Sequence, residues 1–182
     1  KYLDGFVSYE NESSLDYSEG NFDLDRVRIF LREYGVDYSK LKFVHVAGSK
    51  GKGTVCNLVS NYLARRGFAV GLFTSPHLIS VTERIKINNL ELSREGFAEE
   101  IDELRVFLSN SDYHLTYFEV LFVIALKVFL DRGVDYAVLE VGLGGRLDAT
   151  NVVLPVVCAL TMIEEEHVGV LGENLEEILC EK

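Results

Sequence analysis

Residues 42–74 confine the fold more tightly than any other stretch of the chain. "KFVHVA" (42–47) is an apolar run of strand length, "GSKGKGT" (48–54) interrupts it with three glycines, and Val55, Leu58, Val59, Tyr62 and Leu63 then recur at the i, i+3, i+4, i+7, i+8 spacing of a helix face. Gly67 stops that helix, and "FAVGLFT" (68–74) reads as the next strand. This is one βαβ unit with a glycine-rich first turn. The flanking sequence repeats the alternation. Leu24, Val27, Leu31 and Tyr34 predict an amphipathic helix over 23–34 ended by Gly35. Ser93 opens a helix carrying Phe97, Ile101, Leu104 and Leu108, and another runs from Thr116 to about Asp131, before Gly133. "DYAVLEV" (135–141) and "VVCALT" (156–161) are continuous apolar runs, the pattern of strands covered on both faces. Asn174 with Glu177 opens a last helix. The prediction is an α/β fold, a mainly parallel sheet flanked by helices, in a single domain over 1–182.

At 182 residues and 48% apolar content the chain can close a core of its own. The formal charge of −11 disfavours a nucleic-acid or anionic-membrane partner, yet a local cluster of lysine and backbone N–H groups can still hold a small anion. Cys56, Cys158 and Cys180 are odd in number, widely spaced and without a CxxC pair, so neither a disulfide framework nor a zinc site is expected and a reducing cytosol fits. The apolar tracts 120–126 and 152–162 are too short to cross a bilayer as helices, and the N-terminal stretch has no apolar segment of a signal peptide.

The glycine loop between strand and helix is built for an anion. Backbone N–H groups can wrap a phosphate only where no Cβ intrudes, and a lysine with the following helix N-terminus adds positive potential. Gly48, Gly51 and Gly53 give clearance, Lys52 gives charge, and Thr54 gives a hydroxyl for a phosphate-bound Mg²⁺. The spacing G-x-x-G-K-x-T departs from the strict Walker pattern, and a glycine-rich turn without a ligand is the alternative. Glu140 ends a strand ahead of "VGLGGR", where an α/β sheet collects its ligands; it would hold Mg²⁺ or pair with Arg146. Ser75 in "TSPHL" is a metal ligand or a turn cap, and His167, after Glu164, Glu165 and Glu166, is a ligand or a structural histidine. Thr116 and Glu119 form a capping box that accounts for both as helix punctuation.

In order along the chain, "YLDGFVSYE", "FDLDRV", "HVAGSKGKGT", "GLFTSPHLISVTERIKIN", "TYFEVLFVIAL", "LEVGLGGRLDATNVV" and "EEHVGVLGENLEEILCEK" resemble the folylpolyglutamate synthase and dihydrofolate synthase family, a branch of the Mur ligases. The resemblance implies a P-loop domain of the Mur ligase central type. It also implies an ATP- and Mg²⁺-dependent ligase that activates a folate's terminal carboxylate as an acyl phosphate and couples it to L-glutamate, in a family that is usually monomeric and cytoplasmic. By that pattern Gly48, Ser49, Lys50, Gly51, Lys52, Gly53 and Thr54 would bind ATP; Thr54, Ser75, Glu140 and His167 would hold metal; and Lys52, His167 and Lys182, the last matching a lysine carried as a carbamate, would be catalytic. The folate, dihydropteroate or tetrahydrofolate, would meet Phe22, Asp23, Leu24, Asp25, His77, Arg84, Thr116, Tyr117, Phe118, Glu119, Leu147, Asp148 and Ala149, with "SVTERI" as a mobile loop.

Three departures from the family pattern stand out: Glu166 where Asp is common, Lys50 where many bacterial members have Asn, and Ser80 and Thr82 in place of basic or amidic residues. Family members are considerably longer. The resemblance therefore implies an ATP-binding domain incomplete at its C-terminal end, without the glutamate-binding domain, and little turnover from this chain alone. Two other functions remain open, a Mur ligase acting on a peptidoglycan precursor and a catalytically silent nucleotide-binding module.

Overall fold

The computed structural model describes residues 2–9, 17–18 and 22–182; Glu10, which closes the first family segment, lies outside them. Six strands form one sheet: β1 (Lys42–Ala47), β2 (Val70–Phe73), β3 (Ile85–Ile87), β4 (Leu90–Glu91), β5 (Tyr136–Glu140) and β6 (Pro155–Leu160). The order is β4-β3-β2-β5-β1-β6; β2, β5, β1 and β6 run parallel, and β3 and β4 add an antiparallel end. Five α-helices accompany them, α1 (Leu24–Glu33), α2 (Lys52–Arg65), α3 (Arg94–Leu108), α4 (Tyr117–Asp131) and α5 (Leu175–Glu181).

The alternation of side chains along β1 sorts the core into two layers. Phe43, with Phe73, Ile85, Ala137 and Leu139, meets α1, α3 and α4 on one face. Val44 and Val46, with Val70, Leu72 and Val138, meet Cys56 and the inward stripe of α2 on the other. Burial on nearly every side explains why α4 is apolar almost throughout, from Val120 to Phe129. Its start is set by Thr116 and Glu119, which bond reciprocally as a capping box. Asp23, Ser93 and Asn174 cap α1, α3 and α5 in the same manner with single side chains.

The sheet is mainly parallel as expected, with an antiparallel hairpin, β3–β4, at one side that the sequence reading did not name. Two strand expectations are corrected. The strand expected over 68–74 is shorter, because Phe68 and Ala69 belong to the turn in which Asp135 accepts the Ala69 N–H. β6 is an edge strand with most of its side chains exposed, and Leu154 just before it is 91% exposed; an apolar run does not by itself mean cover on both faces. "SVTERI", expected as a mobile loop, holds a short helical turn. Ser80 and Glu83 form a capping box over a 3-10 turn, Val81–Arg84, whose Arg84 is only 1% exposed. No helix among the described residues is long and apolar enough to cross a membrane.

Candidate active site

The parallel strands deliver their carboxyl ends to one rim. From β1 the chain leaves to α2 on one face; from neighbouring β5 it leaves to the turn Ala149–Val152, packed with the opposite layer. Adjacent strands whose connections part to opposite faces open a crevice between them, the usual place for a ligand in an open α/β sheet. The glycine loop lies on one side of that crevice and Glu140 with residues 141–149 on the other.

Gly48 fixes the loop. Its φ is +132°, and a Cβ there would fall 1.9 Å from Thr161 Oγ1, so only glycine fits. The loop is then tied to the end of β6: Thr161 Oγ1 donates to the Ala47 carbonyl at 3.1 Å, Ser49 N to Met162 O at 2.8 Å, and Ser49 Oγ both accepts from Glu164 N and donates to Glu164 O. Lys50 pairs with the Glu164 carboxylate. Lys52 Nζ folds back onto the carbonyls of Gly48, at 2.8 Å, and Ser49, at 3.4 Å. Lys182, its side chain 2% exposed, reaches the same Gly48 carbonyl at 3.2 Å and Glu166 Oε1 at 2.5 Å. Burial lowers the Lys182 pKa and outweighs Glu166, which raises it; burial pushes Glu166 upward, but its bonds to Lys182 hold the net value down.

Glu140 is 5% exposed, accepts the Ser75 N–H at 3.1 Å and lies against Gly53, where a Cβ would come within 3.3 Å of its oxygens. Burial raises its pKa above the ordinary carboxylate value. The pairing with Arg146 entertained from the sequence does not form, because Arg146 grips Glu181 through Nε and a terminal nitrogen, 2.9–3.1 Å. A buried carboxylate with the Ser75 amide as donor and the Lys52 and Arg84 charges nearby fits a hydrated, phosphate-bound divalent ion, to which the protein gives one or two carboxylates. It does not form a protein-only cage: among the described residues no cluster of three or more His, Cys, Asp or Glu is arranged for metal.

A cavity of about 350 Å³ runs from this rim. Lys52, Ser75 and His167 line it, together with Phe22, Thr116, Phe118, Asp148 and Ala149 from the expected acceptor site; Tyr9, Pro76, Gly142, Leu143 and Val170 complete the wall. His167 is held at φ +50°, its carbonyl accepting the N–H groups of Val170 and Leu171. Asp148, 4% exposed, is a hub of hydrogen bonds in the cavity wall. It accepts from the N–H groups of Gly142, Leu143 and Thr150, each at 2.9 Å, and from the Thr150 hydroxyl, which also meets His45 Nε2 at 2.8 Å. Burial pushes Asp148 above its ordinary pKa against four donors, and burial also lowers His45 to about 4.

Other expected acceptor residues are engaged elsewhere. Asp23 caps α1 and Asp25 pairs with Arg28. Leu24 packs on the core, and Glu119 joins its cap to Arg26 at 2.7 Å. His77 Nδ1 accepts from Arg84 Nε at 2.8 Å, and the Arg84 guanidinium stands 5.3 Å from the Tyr117 ring centre. Ser80 and Thr82 serve their own turn, Thr82 also donating to Glu91. Leu147 is buried, with its N–H on the Tyr17 hydroxyl. Tyr9 and Tyr17 escaped the sequence reading because no local pattern reveals contacts made across more than a hundred residues.

No family model matches the chain. Folylpolyglutamate synthase of Arabidopsis thaliana is 39% identical over 99% of the chain, which spans 30% of that relative. The mitochondrial folylpolyglutamate synthase of Bos taurus is 38% identical over 87% of the chain, or 29% of its own length. Among solved structures, bifunctional folylpolyglutamate synthase/dihydrofolate synthase from Yersinia pestis, complexed with AMPPNP and Mn ion, superposes over the whole chain with a TM-score of 0.83 at 37% identity. The chain covers 42% of that structure.

Proposed function

Because the chain belongs to the folylpolyglutamate synthase and dihydrofolate synthase family, matching less than half the length of its relatives, we propose that it is the nucleotide-binding part of an ATP-dependent ligase that joins L-glutamate to the terminal carboxylate of a folate. The observation that carries this reading is the cavity itself. Its wall combines Lys52, Ser75 and His167 with the rings of Phe22 and Phe118. A molecule with a flat ring at one end and a carboxylate at the other suits such a site, and the carboxylate would come to rest at the phosphate rim.

The chemistry sets what each residue must do. Two anions, the acceptor carboxylate and the γ-phosphoryl group, have to meet before transfer. The loop amides and Lys52 receive the β- and γ-phosphates, Lys52 exchanging the carbonyls of Gly48 and Ser49 for phosphate oxygens. Thr54, Ser75, Glu140 and His167 would hold Mg²⁺, which would supply neutralising charge between the reactants. The carboxylate oxygen then attacks phosphorus and ADP leaves. The glutamate amine attacks the acyl carbon, inorganic phosphate leaves, and the nitrogen loses a proton. Placement in the cytosol accompanies this reading, although a relative of similar identity is mitochondrial.

Titration calorimetry of Mg-ATP tests the nucleotide half. Lys52→Met removes charge-assisted bonds worth about 1.5–3 kcal/mol while the displaced loop carbonyls return little, so affinity falls by about tenfold or more. Undiminished binding in the variant would refute the role given to the loop.

A further inference from the structure

We propose that Tyr9 is a specificity-determining residue, an aromatic wall of the cavity against which a flat bicyclic ring stacks. The inference rests on the acceptor site proposed above and adds to it a residue from the N-terminal segment.

That segment is fastened to the site at two points. The Val7 carbonyl accepts the N–H of Tyr117, the first residue of α4, at 2.9 Å. The Tyr17 hydroxyl accepts the Leu147 N–H at 3.1 Å and covers Gly144, where a Cβ would fall 2.4 Å from the hydroxyl oxygen. Between these points the rings of Tyr9 and Tyr17 lean on Phe22 from 5.4 and 5.0 Å, so that an aromatic cluster outside the main core borders the cavity through Tyr9 and Phe22. Phe118 provides the other aromatic border. It is braced by Phe73, 5.5 Å between ring centres, and by Gly142, whose hydrogen leaves the space that a Cβ would fill 2.7 Å from the Phe118 ring.

Aromatic surfaces on two sides and few free polar groups select for a planar π-system over a flexible or saturated one. The Asp148 carboxylate is already met by four donors, so shape and stacking against Tyr9, Phe22 and Phe118 discriminate more than this charge does.

The test compares two probes by calorimetry: folate, and p-aminobenzoylglutamate, which keeps the carboxylate end but lacks the bicyclic ring. Tyr9→Ala is expected to weaken folate about tenfold, the scale of one lost aromatic stacking partner, while p-aminobenzoylglutamate and Mg-ATP stay within about twofold. Tyr9→Phe retains wild-type preference. Should Tyr9→Ala fail to fold, Tyr9→Leu preserves bulk without the π-face and is read in the same way. Equal weakening of both probes, or unchanged folate affinity, overturns the role of Tyr9. Wild-type protein that binds folate no better than p-aminobenzoylglutamate overturns the acceptor site itself, and Tyr9's role with it.

Discussion

Replacing Asp148 by Asn separates a structural carboxylate from one that is merely buried. Four donors converge on it: the N–H groups of Gly142 and Leu143 on one oxygen, and the N–H and hydroxyl of Thr150 on the other. Asparagine offers one oxygen and one NH₂ group. If its oxygen keeps Gly142 and Leu143, the NH₂ confronts Thr150. The Thr150 hydroxyl can turn and accept, but the Thr150 N–H is stranded in a residue with no exposure. One orphaned buried donor costs about 1–3 kcal/mol, and the bonds that survive are neutral where they were charge-assisted. Against this, the variant no longer buries a charge, which returns part of the loss. The net expectation is about 2 kcal/mol of destabilisation, or roughly 4–8 °C in Tm for a chain of this size. Urea unfolding followed by far-UV circular dichroism suits a protein without tryptophan, and an unchanged m-value would locate the effect in the folded state. A difference within about 0.5 kcal/mol would refute the four-donor account.

Glu83 accepts the N–H groups of Leu78, Ile79 and Ser80, and these bonds hold its pKa at about 2 from an ordinary 4.5. A depressed carboxylate stabilises the fold above its unfolded pKa and ceases to do so as pH falls through the folded one; the protection factors of the Leu78–Ser80 amides, exchange corrected for the intrinsic rate at each pH, should therefore fall between pH 4.5 and 2, and Glu83→Gln should lower them at neutral pH. Glu140→Gln should change sign with metal. Without Mg²⁺ the variant binds ATP more tightly than wild type, since a buried anion no longer faces the phosphates, and with Mg²⁺ it binds several-fold more weakly; calorimetry in both conditions decides, and a loss of equal size in both would deny Glu140 a metal. Gly53→Ala improves helix propensity by about 1 kcal/mol but places a methyl 3.3 Å from Glu140, so melting should hold or rise while Mg-ATP affinity drops several-fold.

What the sequence made legible was whatever is local. The βαβ unit followed from side-chain period and glycine placement, α1 from its apolar spacing, and the starts of α3, α4 and α5 from capping residues that the structure uses as such. The β3–β4 hairpin was missed although Ile85, Ile87, Leu90 and Leu92 alternate with polar residues, because its strands are only three and two residues long and Asn88 and Asn89 turn it at positive φ without a glycine. β6 misled for a different reason: hydrophobicity reports what a strand can bury, whereas its neighbours decide what it does bury. For the site, Lys52, Ser75 and His167 share a cavity as their positions at strand ends implied. Tyr9, Tyr17 and the grip of Arg146 on Glu181 depend on which distant segments meet, and no motif encodes that.

The loop also shows how a chain with a formal charge of −11 can keep a cationic pocket. Lys50 and Lys182 are each neutralised by a carboxylate from residues 164–166, and Lys52 rests on its own loop's carbonyls. The lysines are therefore held in place without a ligand, and the potential they create is local, screened from the acidic surface by short distances. An arriving triphosphate gains only the difference between these existing partners and its own oxygens. Lys52, whose present partners are neutral carbonyls, gains most from the exchange; Lys182, already beside a carboxylate, gains least. The loop's affinity should accordingly depend far more on Lys52 than on Lys182, even though both ammonium groups touch the same Gly48 carbonyl.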